Sequence, residues 1–133
     1  GAGIIIDSLT AIERCREIIS LYKESGGTGA AILIRRAWLG EPPRADLDAQ
    51  MDVYKSYSTA SAMMGWGTDE VVSVTDASEE AEKLLDALRD TGADALNIRV
   101  TVPGVGPEQV RDQITALGDE VLPLVRKGLG RND

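Results

Sequence analysis

Polar side chains occupy every second position of segment 95–101, where Asn97, Arg99 and Thr101 alternate with apolar residues. Because successive side chains of a strand point to opposite faces, this spacing predicts one apolar face and one face carrying an amide, a guanidinium and a hydroxyl. These groups can hold a polar ligand by hydrogen bonds. Such a strand fits a barrel whose polar face lines a binding mouth, or a two-layer sheet whose second face meets water.

Other catalytic groups are scarce. The chain has no histidine, which removes the usual general base, the histidine-activated nucleophiles and imidazole metal ligands. Its single cysteine, Cys15, has no internal disulfide partner, and its position among isoleucines predicts a packed core residue. Chemistry here must therefore come from carboxylates, hydroxyls, arginine or a bound cofactor, and we predict no metal site.

The composition is that of one globular domain. The 133 residues include 43% apolar residues, and 22 acidic against 14 basic residues give a net charge of −8. No basic stripe could follow a phosphate backbone, and no apolar run reaches the ~20 residues that span a bilayer. We therefore expect a soluble, cytoplasmic protein that binds neither nucleic acid nor membrane.

The chain begins with a short strand followed by a helix. Gly3–Ile6 is an apolar strand, and Thr10 with Glu13 three residues later forms a capping-box pattern for the helix. Ser25–Gly27 ends that helix. Its predicted buried stripe is Ile12, Cys15, Ile18, Ile19 and Tyr22.

A second unit follows the same order. Residues 30–34 form an apolar strand that runs into Arg35–Gly40, and the loop at Glu41–Pro43 contains two prolines that block a helix. The pattern predicts a helix from about 45 to 57, with an irregular stretch over 56–67. Residues 69–74 form an extended piece or part of a loop.

The last elements are the clearest. Asp76 with Glu79 caps a helix that ends at Gly92, the polar and apolar strand follows, and the final helix begins at Pro107. Pro123 should kink or end that helix. Repeated strand and helix units predict an α/β fold with parallel strands and right-handed crossovers.

Several segments resemble a known family. They are Gly-Ala-Gly-Ile-Ile-Ile-Asp-Ser at 1–8, Ile-Arg-Arg-Ala-Trp-Leu-Gly-Glu-Pro-Pro at 34–43, Ala-Asp-Ala-Leu-Asn-Ile-Arg-Val-Thr-Val-Pro-Gly at 93–104 and Glu-Val-Leu-Pro-Leu-Val at 120–125. Together they resemble the C-terminal part of the bacterial-luciferase-like flavin monooxygenases, over nearly the whole chain.

The resemblance implies a fold and a function. The family folds as a (β/α)8 TIM barrel, so residues 1–133 would be a single partial domain holding strands six to eight, cut from a longer protein. The implied activity is that of a flavin (FMN) or deazaflavin dependent monooxygenase or oxidoreductase acting on a small-molecule substrate. The cofactor would bind at the C-terminal mouth of the barrel, with much of its site in the missing N-terminal part, and would itself carry the redox chemistry.

The resemblance also implies cofactor-binding residues. Asp7, Ser8 and Thr10 would lie at the mouth end of the sixth strand, near the flavin, and for Ser8 and Thr10 the alternative role is to cap the helix. Asn97 and Arg99 would point into the barrel from the eighth strand. For these two residues, a structural pairing is the alternative.

The seventh strand would supply substrate-binding residues. Whichever of Arg35 and Arg36 faces inward could steady an anionic group, and Trp38 could stack on a ring. The alternative places one arginine in solvent, pairs the other with a carboxylate and leaves Trp38 to cover the barrel rim.

Three barrel units also leave open strand edges and an uncovered face, so we expect a partner. That partner would be the missing N-terminal barrel portion or a second copy of the chain. A different function remains open: a noncatalytic α/β module that self-assembles through its open sheet edges.

Overall fold

The computed structural model describes residues 1–67 and 71–131, with the backbone alone at 71–73. Its elements in chain order are β1 (Ile4–Ile6), α1 (Ile12–Glu24), β2 (Ala31–Leu39), α2 (Arg44–Tyr57), α3 (Ala60–Met64), β3 (Val71–Val74), α4 (Ala77–Thr91), β4 (Ala95–Arg99), α5 (Pro107–Ala116), a π-helical turn (Leu117–Val121) and α6 (Leu122–Gly128). Among the described residues, no helix has both the length and the apolar character needed to cross a bilayer.

Strand β2 organises a small parallel sheet. Strands β1 and β4 both pair with Ile32 and Leu33, so they must lie on opposite edges of β2. Strand β3 pairs with the second half of β2, from Arg36 to Leu39. Every one of these pairings is parallel, which confirms the predicted α/β class with parallel strands.

The register between β2 and β4 is fixed where β4 begins. The Asp94 backbone N–H donates to the Ala31 carbonyl at 2.8 Å, and the Ala31 N–H donates to Asp94 Oδ2 at the same distance. That bond stabilises the carboxylate, and with nearby Lys23 it lowers the pKa of Asp94 despite partial desolvation. A one-residue slip would break both bonds and send each side chain to the wrong face.

Strand β2 is longer than its sequence predicts. Residues 35–39 continue the strand because neighbours satisfy their backbone: β3 on one side, and on the other Gln113 of α5, whose amide bonds both the N–H and the carbonyl of Leu39 at 2.8 Å. These partners lie 35 residues along the chain in β3 and 74 residues along the chain at Gln113. Helix α3 also falls inside the stretch predicted to be irregular, while positions 69 and 70 of the predicted extended piece lie outside the described residues.

The helices bury one face of the sheet. Leu33 and Leu96 meet the stripe of α1, whose Cys15 is fully buried, as predicted for a core cysteine. Burial raises the pKa of the Cys15 thiol, with Arg35 acting in the opposite direction. A second cluster joins Ala37 to the buried residues of α4, the π-helical turn and α6, which are Ala81, Leu84, Leu85, Leu88, Leu117, Val121 and Val125.

The predicted capping box at Thr10 is wrong. Helix α1 begins at Ile12, one residue later than a cap at Thr10 would start it, its N-cap is Ala11, and no side chain caps it. The reason is tertiary: the Ala11 N–H donates to the Gly65 carbonyl at 3.0 Å, and the Gly67 N–H donates to the Leu9 carbonyl at 2.8 Å. This antiparallel bridge, centred on Thr10 and Trp66, holds the chain extended where the sequence pattern would start a helix.

The two prolines of the last helical region behave differently. Pro107 starts α5, as predicted. Pro123 does not end the helix, because the chain passes through the π-helical turn just before it and continues as α6. A wider turn relieves the clash between a proline ring and the carbonyl four residues earlier, so the expected break is absorbed locally.

Glu80 is a fully buried carboxyl group in the first turn of α4, a helix capped by Asp76 as predicted. The Val74 N–H donates to Glu80 Oε2 at 3.1 Å, while Oε1 has no hydrogen-bond partner among the described residues. Burial raises the pKa of Glu80 to about 7, against smaller opposing effects from the backbone amides of Val74 and Trp38 and from the Lys83 charge.

This shift makes stability depend on pH. The folded protein holds the Glu80 proton more tightly than the unfolded chain does. The contribution of Glu80 to the free energy of unfolding is therefore greatest below pH 4.5 and falls by about 3 kcal/mol as the pH rises to about 7. Denaturant unfolding should therefore show that the free energy of unfolding of Glu80→Gln, relative to that of the wild type, rises by this amount between pH 4.5 and pH 8. Glu82→Gln, an exposed change on the same helix, should show no such trend; an equal trend in both variants would refute this assignment.

Candidate functional site

The face of the sheet opposite the helix layer carries the polar groups. Asn97 and Arg99 are exposed on β4, whereas Leu96 and Ile98, which alternate with them, pack into the core clusters. Arg36 and Trp38 of β2 lie on the same face as Arg99, and line a narrow cleft with it. The alternation of faces predicted from segment 95–101 is therefore confirmed.

A cavity of about 390 Å³ lies at the carboxyl ends of the strands. Asp7 and Ser8 line it from the loop after β1, Arg99 lines it from β4, and Tyr54 and Trp66 close it from α2 and from the segment after α3. Its size is within the range of small-molecule sites, and it combines a cation, a carboxylate, a hydroxyl and aromatic rings. The carboxyl ends of parallel strands are where ligands bind in α/β proteins.

A second cavity of about 360 Å³ adjoins the first, because Tyr54 and Arg99 line both. Its other polar lining comes from Arg36, Gln50 and Thr101. The two cavities therefore lie side by side between α2 and the open face of the sheet, with Tyr54 and Arg99 lining both. We call these two adjoining cavities together the α2 groove.

The loop after β1 brings two of its three predicted residues to the groove. Ser8 is buried there, and Asp7 is exposed with its Oδ1 accepting a hydrogen bond from the Leu9 N–H at 2.7 Å. Thr10 is half-buried and lines neither of the two cavities. Its backbone carbonyl instead accepts a hydrogen bond from Arg35.

Arg35 lies on the helix-facing side of β2, 3% exposed. Its guanidinium donates to the carbonyls of Ser8, Thr10 and Ile34 at 3.0–3.2 Å, and also contacts the Asp7 carbonyl and the Cys15 sulfur at 3.5 Å. In the described part of the chain it pairs with no carboxylate. Arg35 therefore holds the loop that carries Asp7 and Ser8, and Arg36 is the arginine that faces the groove.

The two tryptophans differ in accessibility. Trp38 is 4% exposed and lines a narrow cleft together with Leu47 of α2, so the chain itself buries its ring. Trp66, which the sequence reasoning did not select, lines the groove together with Tyr54 and Tyr57. The spacing of Tyr54 and Tyr57 on one helix was the available signal, but nothing in the local sequence places α2 over the sheet.

Comparison with known proteins adds no assignment. No protein-family model matches this sequence, and a search of curated proteins finds no match. The luciferase-like resemblance therefore stays a prediction from the sequence segments, and the candidate site rests on the geometry described above.

The role of Arg35 is testable by substitution. Arg35→Met removes the guanidinium and leaves several loop carbonyls without their donor, so we expect a loss of about 3 kcal/mol in the free energy of unfolding. Arg16→Met, which removes one exposed bond to the Asp90 carbonyl, should cost under about 1.5 kcal/mol. Chemical denaturation measures both, and equal losses would show that Arg35 does not clamp the loop.

Proposed function

We propose that this chain is the C-terminal part of a luciferase-like monooxygenase or oxidoreductase that depends on FMN or a deazaflavin. In this proposal β1, β2 and β4 are strands six, seven and eight of a (β/α)8 barrel, and the open face of the sheet looks into the barrel. Three features support it: the strand order β1, β2, β4, the parallel pairing, and the layer of α1, α4 and α6 packed on the face of the sheet opposite the α2 groove.

One observation carries the proposal. Polar side chains at the carboxyl ends of three neighbouring parallel strands line the two adjoining cavities of the α2 groove: Asp7 and Ser8 after β1, Arg36 on β2, and Arg99 on β4, which lines both. Active sites of (β/α)8 enzymes are built in this way, from the ends of several strands. A sheet whose second face simply met water would have no need of this convergence.

The groove has the groups that a flavin requires. Arg36 and Arg99 offer positive charge for a phosphate, Trp66 and Tyr54 offer aromatic surface for the ring system, and Ser8 offers a hydroxyl. When bound, the flavin supplies the oxygen or hydride chemistry. The chain's own residues would bind and orient it, so the absence of histidine is no obstacle.

A specific observation also favours the alternative, a noncatalytic module that self-assembles. Ile5 of β1 is 59% exposed on the open face, and the outer edge of β1 has no strand partner among the described residues. A second copy could cover both. This alternative differs from the first in requiring no cofactor.

Flavin titration separates the two proposals. Adding the chain to FMN or a deazaflavin should quench the fluorescence of the cofactor with a saturable curve, since its ring would stack in the groove. Trp66→Leu should weaken binding about three- to tenfold, through loss of aromatic contact. Sedimentation of the same protein preparation without flavin measures self-assembly.

The control is Met64→Ala. Met64 is 87% exposed and lies two residues before Trp66 in the sequence, but it does not line the groove. The variant should bind flavin as the wild type does. No quenching by the wild-type chain would contradict the flavin proposal, and oligomers that form without flavin would then favour the alternative.

A further inference from the structure

Two arginines face each other on the open side of the sheet. Arg36 of β2 and Arg99 of β4 are direct cross-strand partners, and neighbouring strands are about 4.8 Å apart. Like charges placed directly opposite each other in a sheet destabilise it. A pair in this position therefore opposes folding unless a negative group lies between or beside the two guanidinium groups.

Among the described residues, no carboxylate lies within ion-pair distance of Arg36 or Arg99, although Asp7 lines the groove near Arg99. Arg36 is only 6% exposed, and among the described residues its side chain makes one long hydrogen bond, from Nη1 to the Thr101 carbonyl at 3.4 Å. A guanidinium has five N–H donors, and burying it without a counter-charge is costly.

The surroundings are suited to an anion. Arg36 and Arg99 both line the 360 Å³ half of the α2 groove, where Gln50 contributes an amide and Tyr54 a phenol. The chain as a whole carries a net charge of −8, so this pair is not part of a generally basic surface. Two guanidinium groups side by side match the charge and the several acceptor oxygens of a phosphate group.

We propose that Arg36 and Arg99 form an anion subsite that binds the phosphate group of a small-molecule ligand. The phosphate could belong to the flavin cofactor or to the substrate, and this assignment of its source rests on the proposed function. The subsite itself requires only the arginine pair and its cavity. Bound phosphate would neutralise the repulsion between β2 and β4, so ligand binding would also stabilise the sheet.

Inorganic phosphate is the probe. At constant ionic strength, phosphate should shift the arginine Nε–Hε NMR signals of the wild type saturably and raise its melting temperature, while chloride should do neither. Arg99→Gln should bind phosphate at least tenfold more weakly. Because the substitution removes like-charge repulsion, the variant should melt no lower than the wild type in phosphate-free buffer.

Two further variants complete the design. Arg36→Lys keeps a charge at the buried position but loses the planar fork, so it should fold and bind phosphate weakly. Arg126→Gln, an exposed change on α6, should behave as the wild type does. Signals that shift without saturation, or equally in Arg99→Gln, would overturn the proposal.

A comparison of FMN with riboflavin distinguishes the sources of the phosphate. If the cofactor provides it, FMN should bind the wild type more tightly than riboflavin does, and Arg99→Gln should abolish the difference. If the substrate provides it, both flavins should bind alike and added phosphate should not compete. Phosphate binding without flavin quenching would uphold the subsite and contradict the flavin proposal, whereas quenching without phosphate binding would do the reverse.

Discussion

The parallel pairing of β2 with β1 and β4 is the constraint on which the rest of the structure depends. Because the side chains of a strand alternate, one register decides that Leu33 and Ala37 enter the helix layer and that Arg36 and Trp38 face away from it. The two bonds between Asp94 and Ala31 fix that register at its start. The core and the groove are therefore two consequences of one alignment.

Two buried polar side chains on the helix-facing side of the sheet hold the segments around these strands in place. Arg35 collects the carbonyls of the loop after β1, and Glu80 binds the backbone where β3 ends. Each places a charge or an unpaired oxygen in the interior, which lowers the stability of the fold unless hydrogen bonds to the backbone compensate for the lost hydration. These hydrogen bonds hold the chain at the carboxyl ends of β1 and β3, the end of the sheet where the groove lies.

The sequence predicts whatever depends on neighbouring residues. The faces of segment 95–101, the cap at Asp76 and the start at Pro107 follow from local spacing, and all three are correct. Thr10 fails as a cap because Gly65 and Gly67, more than fifty residues later, pair with its neighbours. The length of β2 is missed for the same reason, since Gln113 and β3 complete its hydrogen bonds.

The candidate site shows the same difference between what local sequence predicts and what only the fold determines. Spacing alone leaves open which of Arg35 and Arg36 faces the groove, and the pairing of β2 resolves the choice in favour of Arg36. Trp66 and Gln50 reach the groove only because α2 and the segment after α3 pack over the sheet. The flavin and its chemistry come from the family resemblance and stay a proposal, while the pairing of Arg36 with Arg99, without an ion pair among the described residues, follows from the register of β2 and β4.

Thiol labelling tests the division of faces most directly. Cysteine introduced singly at three consecutive positions of β4, by Asn97→Cys, Ile98→Cys and Arg99→Cys, can be compared with the buried Cys15 in native protein. We expect the thiols at positions 97 and 99 to react as fast as a free thiol, and those at 98 and 15 at least tenfold more slowly. Fast labelling at 98 with protection at 97 and 99 would place the polar side chains beneath the helices and contradict the account.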